Sequence, residues 1–123
     1  MNTVLWAIAG LVAAGFLFSG MFKLVQSHEE YTASQPWAET APRWAPKAIG
    51  ALEVVGAIGL ILPAVVGVAP VLVPLAATGL ALVMVGAVVL HLRRGEFSAL
   101  APSGVLLALA VVVAWGRFGP YAF

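Results

Sequence analysis

Three ionisable side chains, Lys23, Glu53 and His91, fall within or at the edge of otherwise apolar runs. An ammonium, a carboxylate and an imidazole are groups that exchange protons and bind polar atoms of a ligand. A carboxylate in a membrane-spanning helix costs about 2.5–3.5 kcal/mol on insertion scales, so Glu53 is expected to be paired with a cation or held protonated. Lys23 is the natural partner and His91 the second candidate. On the first apolar run Ser19, Lys23 and Gln26 recur at four and three residues and share one helix face. On the second, Gly50, Gly56 and Ala57 share the face of Glu53 and are expected to leave space beside the carboxylate. On the third, Ala87 and Met84 lie above His91. Together these describe a polar floor under an apolar, methionine-bearing pocket. Glu53, Lys23 and His91 are its candidate proton-handling residues, with Ser19, Gln26, Gly56, Met84 and Trp37 as candidate ligand contacts.

A plainer role is open for each. Lys23 and Glu53 together form an interhelical bridge that fixes a bundle, and a histidine beside Arg93 and Arg94 is an ordinary interfacial residue. His28, Glu29 and Glu30 are too weak a pattern for a metal set with His91, so no metal is expected. The chain has no cysteine, which excludes thiol redox chemistry, iron–sulfur clusters and covalently attached haem. Its net charge of +1, without a basic run, argues against nucleic acid.

The elements that must position these residues follow from hydropathy. With 63% apolar and 9% charged residues and a mean hydropathy of +1.06, the chain is expected to be an integral membrane protein. Four spans are predicted, at about residues 3–25, 46–63, 70–92 and 99–115, making a single all-α domain, a membrane-embedded four-helix bundle. Pro63 is expected to close the second span, and Pro70 and Pro74 to begin the third. The pairs Gly15 and Ser19, Gly56 and Gly59, and Gly79 and Gly86 suggest close helix packing. MNTVLW lacks the basic start of a secretory signal, so the first run is expected to be retained.

The connection of residues 26–45 is too long for a simple turn. Ser34, with Pro36, Trp37 and Glu39 after it, is expected to start a short interfacial helix whose tryptophan dips into lipid. Such a helix is either a lid over the polar floor or an amphipathic connector. Lys23, Arg43, Lys47, Arg93 and Arg94 lie at one end of the predicted bundle and Arg117 at the other. The positive-inside rule then puts the charged loops in the cytoplasm and both termini outside. Trp6 and Trp115 at one boundary, with Trp37 and Trp44 near the other, fit two interfacial belts.

The segments FLFSGMFKL (16–24), IGALEVVGAIGLILP (49–63) and ALVMVGAVVLHLRRGE (81–96) resemble the DoxX-like family of small four-helix membrane proteins. The resemblance covers most of the chain and marks Ser19, Lys23, Glu53 and His91 as the family positions. It implies a bacterial inner membrane and a place beside quinone-linked redox enzymes, since the family takes its name from a subunit of a quinone-reducing oxidoreductase. The first functional expectation is therefore a quinone or similar lipophile bound between the helices, with a redox protein partner or a second copy of the chain. A stand-alone isomerase or cyclase using Glu53 for proton transfer is the second. A non-enzymatic assembly or chaperone module, which the resemblance to some eukaryotic relatives implies, is the third.

Overall fold

The computed structural model describes residues 2–39 and 41–122; Thr40, within the predicted connection, lies outside them. Helices run over Asn2–Val25 (α1), His28–Ser34 (α2), Ala45–Val66 (α3), Leu72–Arg94 (α4) and Leu100–Phe118 (α5), with short 3-10 turns at Pro36–Glu39 and Phe97–Ala99. The described residues contain no strand. Four of the helices, α1, α3, α4 and α5, are long and apolar enough to cross a membrane. The shortest, α5, has 19 residues and reaches about 28 Å, close to the ~30 Å hydrocarbon core of a bilayer.

Each long helix packs on two others, in the ring order α1, α3, α4, α5. The dry interior is built from Val12, Phe16, Leu60, Val73, Leu80 and Val113, all at most 2% exposed. Outward, Leu11, Phe18, Leu52, Val55 and Leu82 are more than half exposed, an apolar surface that only lipid can cover without cost. Composition, helix length and this inverted surface make the protein an integral membrane α-helical bundle.

Close crossings hold the ring together, because helices in lipid gain mainly from dispersion contact. At Gly20 and Gly50, α1 meets α3 so tightly that a Cβ at either glycine would lie under 3.0 Å from the other's carbonyl oxygen. Gly56 is covered by Leu80, Gly59 faces Ala76, and Gly116 is covered by Leu5. Gly79 and Gly86 depart from the expected packing role, since nothing lies within 4 Å of a Cβ built at either.

Two helix ends differ from expectation. Pro63 does not close α3, which continues to Val66 and ends at Gly67 in a left-handed conformation (φ 71°). A proline in a last turn removes a single backbone bond, and the glycine supplies the real stop. Pro74 does lie in the first turn of α4, whereas Pro70 precedes the helix.

The long connection also folds differently. Ser34 ends the short helix instead of starting it. The start is Ser27, whose hydroxyl accepts from the Glu30 N–H while the Glu30 carboxylate accepts from the Ser27 N–H, each at 3.2 Å. This reciprocal capping box is written in the sequence as SHEE. Trp37, in the 3-10 turn, is buried rather than dipping into lipid; Trp44 is the exposed one.

Candidate functional site

The crossing of Gly20 and Gly50 sets the site. One turn further along each helix lie Lys23 and Glu53, and the close approach brings the Lys23 Nζ to 2.8 Å from the Glu53 Oε1. Glu53 is 1% exposed and Lys23 14%, so the carboxylate is buried while its partner keeps a path to the surface. The ammonium also donates to the Ser19 Oγ at 2.6 Å, the i−4 neighbour on α1. The approach to Glu53 falls outside hydrogen-bond angles, which leaves its Oε1 ion-paired but without a hydrogen bond. Charge attraction across a dry interface is strong.

This pair forms one wall of a cavity of ≈ 830 Å³ at the loop end of the bundle, within the range of small-molecule sites. Ser19 and Lys23 of α1, Glu53 of α3, and Met84 and His91 of α4 all line it, as does Trp37. Six of the eight residues singled out from sequence are thereby brought together. The other two are placed elsewhere. Gly56 is covered by Leu80, and Gln26, beyond the end of α1, has a buried side-chain oxygen without a partner but does not reach the cavity. The small residues near Glu53 were expected to leave space beside it. Instead Gly50 and Gly56 are used for helix contact, and the space is bounded by residues of α1, α3, α4 and α5 and by the connection after α1.

His91 has a different partner from the one expected. Its Nδ1 meets the Glu96 Oε1 at 3.0 Å, and Arg94 Nε lies 3.3 Å from the same oxygen. The hydrogen bond of His91 and the neighbouring Arg94 hold the Glu96 carboxyl below the usual carboxylate range.

Sequence reasoning offered the connection as a lid and named Trp37, but it missed Tyr31 and Gln35 in that roof and the fourth wall. Tyr31 of α2 and Gln35 at its C-terminal cap cover the cavity together with Trp37, and Pro102, Ser103 and Leu106 contribute from α5. Tyr31 is 4% exposed; burial pushes its phenol up to about 12, the bond with Trp37 opposes the shift, and the charge of Glu53 adds to it. Four rings form a row along the wall: Phe18 to Phe22 at 6.4 Å, Phe22 to Tyr31 at 6.1 Å and Tyr31 to Trp37 at 5.9 Å between centroids. The capping box at Ser27, which turns α2 back over the bundle, was the signal available for Tyr31. Nothing in the sequence distinguished Ser103 from the other small residues of α5.

The roof is tied down at its ends. Lys47 Nζ, in the first turn of α3, donates to the Leu24 and Gln26 carbonyl oxygens at 3.1 Å each, capping α1. Arg43 and Glu29 make an exposed pair at 3.3 Å, worth little in water. Phe18 and Leu82 line the cavity and are also 75% and 68% exposed on the outer surface. The cavity therefore communicates with the lipid side of the bundle. Among the described residues no three of His, Cys, Asp and Glu are grouped to hold a metal ion.

No curated protein and no solved structure matches the chain. The DoxX-like family does, over residues 7–113, a range that includes Ser19, Lys23, Glu53 and His91. With most of its length matched, the chain belongs to the DoxX-like family.

Proposed function

We propose that the cavity binds a quinone or comparable lipophile as part of a membrane redox system. The observation that carries this reading is the Lys23–Glu53 pair, which puts a buried charge pair on the wall of an otherwise apolar and aromatic cavity. A ring-bearing molecule fits the aromatic row, and its polar end fits Lys23, which donates, and His91. Access through the side near Phe18 and Leu82 suits a molecule dissolved in the bilayer. A bound quinone would supply the electron-accepting group, with electrons delivered by a redox partner protein. The chain's own residues orient the ligand, exclude water beneath the Tyr31–Trp37 roof, and hold protons at Glu53 and His91.

A second reading is an enzyme that moves protons on an apolar substrate without redox chemistry. It is favoured by one observation: Glu53 and His91 enter the same cavity from different helices, as an acid and a base flanking a substrate would.

Mass spectrometry of small molecules retained by the purified protein in mild detergent tests the first reading. A stoichiometric quinone present in the wild type and lost in Glu53→Gln is the expected result. A retained terpenoid would favour the second reading. No retained molecule in either protein would count against both and direct attention to a role in assembling other membrane proteins.

A further inference from the structure

The Glu96 carboxylate is built onto His91 by two separate contacts. Gly95, in a left-handed conformation (φ 70°), ends α4 and folds the chain back. The Glu96 N–H then donates to the His91 carbonyl at 2.9 Å, while the Glu96 side chain meets the His91 ring at Nδ1. The carboxyl is held below the usual range by His91 and Arg94, so it is an anion and accepts only. A ring nitrogen facing an acceptor must carry the proton. In the neutral imidazole, Nε2 is then left with its lone pair. The His91 side chain is 12% exposed and lines the cavity.

We propose that Glu96 is a positioning residue that keeps His91 as a hydrogen-bond acceptor towards the cavity, so that the site selects lipophiles bearing an acidic hydroxyl, of the long-chain phenol type, which for a quinone couple is the reduced quinol form. The selection does not come from Lys23. An ammonium only donates, and it serves the oxygen of a phenol and of the corresponding ether alike. Ser19 already accepts from Lys23. Glu53 is ion-paired to the same ammonium but its Oε1 accepts no hydrogen bond, so it is the competing acceptor that the His91→Phe variant separates from His91. This inference rests on the cavity being a ligand site.

The test compares para-nonylphenol with its methyl ether, which has the same apolar body but no proton to donate. Each is partitioned between detergent micelles with and without protein, and the retained amount is quantified. The wild type is expected to hold the phenol about tenfold more tightly than the ether, the value of one well-made hydrogen bond to a partly charged system. Glu96→Ala and His91→Phe are expected to bring the ratio close to one while ether retention persists. Long-range nitrogen–proton NMR of His91 should show protonated Nδ1 and bare Nε2 in the wild type, and a mixture of tautomers in Glu96→Ala. That signature is independent of any ligand and would not follow from a merely structural role of Glu96. Phenol and ether held equally by the wild type would overturn the inference and leave the cavity as a ligand site. A phenol preference unchanged in His91→Phe would also overturn it, and assign the selection to another acceptor of the lining, such as Glu53, Gln35 or Ser103. Neither probe retained above empty micelles would overturn both the cavity reading and the inference.

Discussion

At the scale of single residues, the site depends on a charge that is unfavourable alone. Glu53 is 1% exposed and its partner is the Lys23 ammonium. Removing one member of a buried pair leaves the other charge uncompensated, at a cost of about 3–5 kcal/mol, whereas replacing both by apolar groups is often neutral. Lys23→Met is therefore expected to lower the thermal midpoint in detergent strongly, and Lys23→Met combined with Glu53→Leu to recover most of the loss. A double variant as unstable as the single one would show that the pair stabilises the bundle through more than mutual charge. The pair itself was legible in the sequence, because an isolated carboxylate in an apolar run demands a cation and Lys23 is the one cation at a similar depth on the first helix. The partner of His91 was not legible. It follows from the left-handed turn at Gly95, which sends Glu96 back along α4, and a sequence reading that compares helix depths does not see a carboxylate beyond the helix end.

At the scale of elements, two features decide whether the site assembles: the α1–α3 crossing and the roof. At the crossing, a side chain at Gly50 would meet the Gly20 carbonyl and the Lys23 Cβ, both under 3.0 Å. Gly50→Val is expected to push the helices apart at a cost of about 1–3 kcal/mol and to weaken the Lys23–Glu53 contact, read as a lower melting midpoint. Gly86→Ala is the counterpart, since nothing lies within 4 Å of its added Cβ. It should fold as well as the wild type, and because Gly86 lines the cavity it should alter ligand retention instead. The roof reports on itself through Tyr31. Its phenol is moved from 10.0 to about 12, chiefly by burial. A raised value means that the docked form keeps its proton longer than the open form. Docking is therefore fully favourable below about pH 10 and is weakened as pH rises from there towards about 12. An absorbance titration of the folded protein should show a late tyrosine ionisation that Tyr31→Phe removes; its disappearance in Trp37→Ala would show that the docked turn is what buries the phenol. The short helix under this roof was anticipated as an element but not in its bounds. Proline and tryptophan drew attention to residues 34–39, while the capping box at Ser27 and Glu30 set the actual start.

At the scale of the whole molecule, composition decides the fold and charge decides its direction. Four long apolar helices and a surface of exposed Leu, Val and Phe leave lipid as the solvent. That was readable from hydropathy alone, and helix boundaries moved by only a few residues where Gly67 overrode Pro63. The order of helices around the ring was less readable, because glycines that pack and glycines that line space look alike in a sequence. Gly20, the α1 half of the tightest crossing, lies among residues whose spacing drew attention to Ser19 instead. We propose an orientation from the distribution of cations. Lys23, Arg43, Lys47, Arg93 and Arg94 lie at the loop end that carries the cavity, whereas Arg117 at the opposite end is 4% exposed and bound to the Asn2 side chain and the Tyr121 carbonyl. Arg117 is the one lysine or arginine at its end and is satisfied by its own bundle, so on the positive-inside rule we expect the cavity end to face the cytoplasm. The chain has no native cysteine, so single substitutions report without interference. Ser98→Cys, in the turn between α4 and α5, should react with a membrane-impermeant maleimide only after cells are permeabilised, and Ala122→Cys should react in intact cells. The reverse pattern would invert the bundle and put the Tyr31–Trp37 roof outside. Any redox partner acting at that roof would then have to be extracytoplasmic.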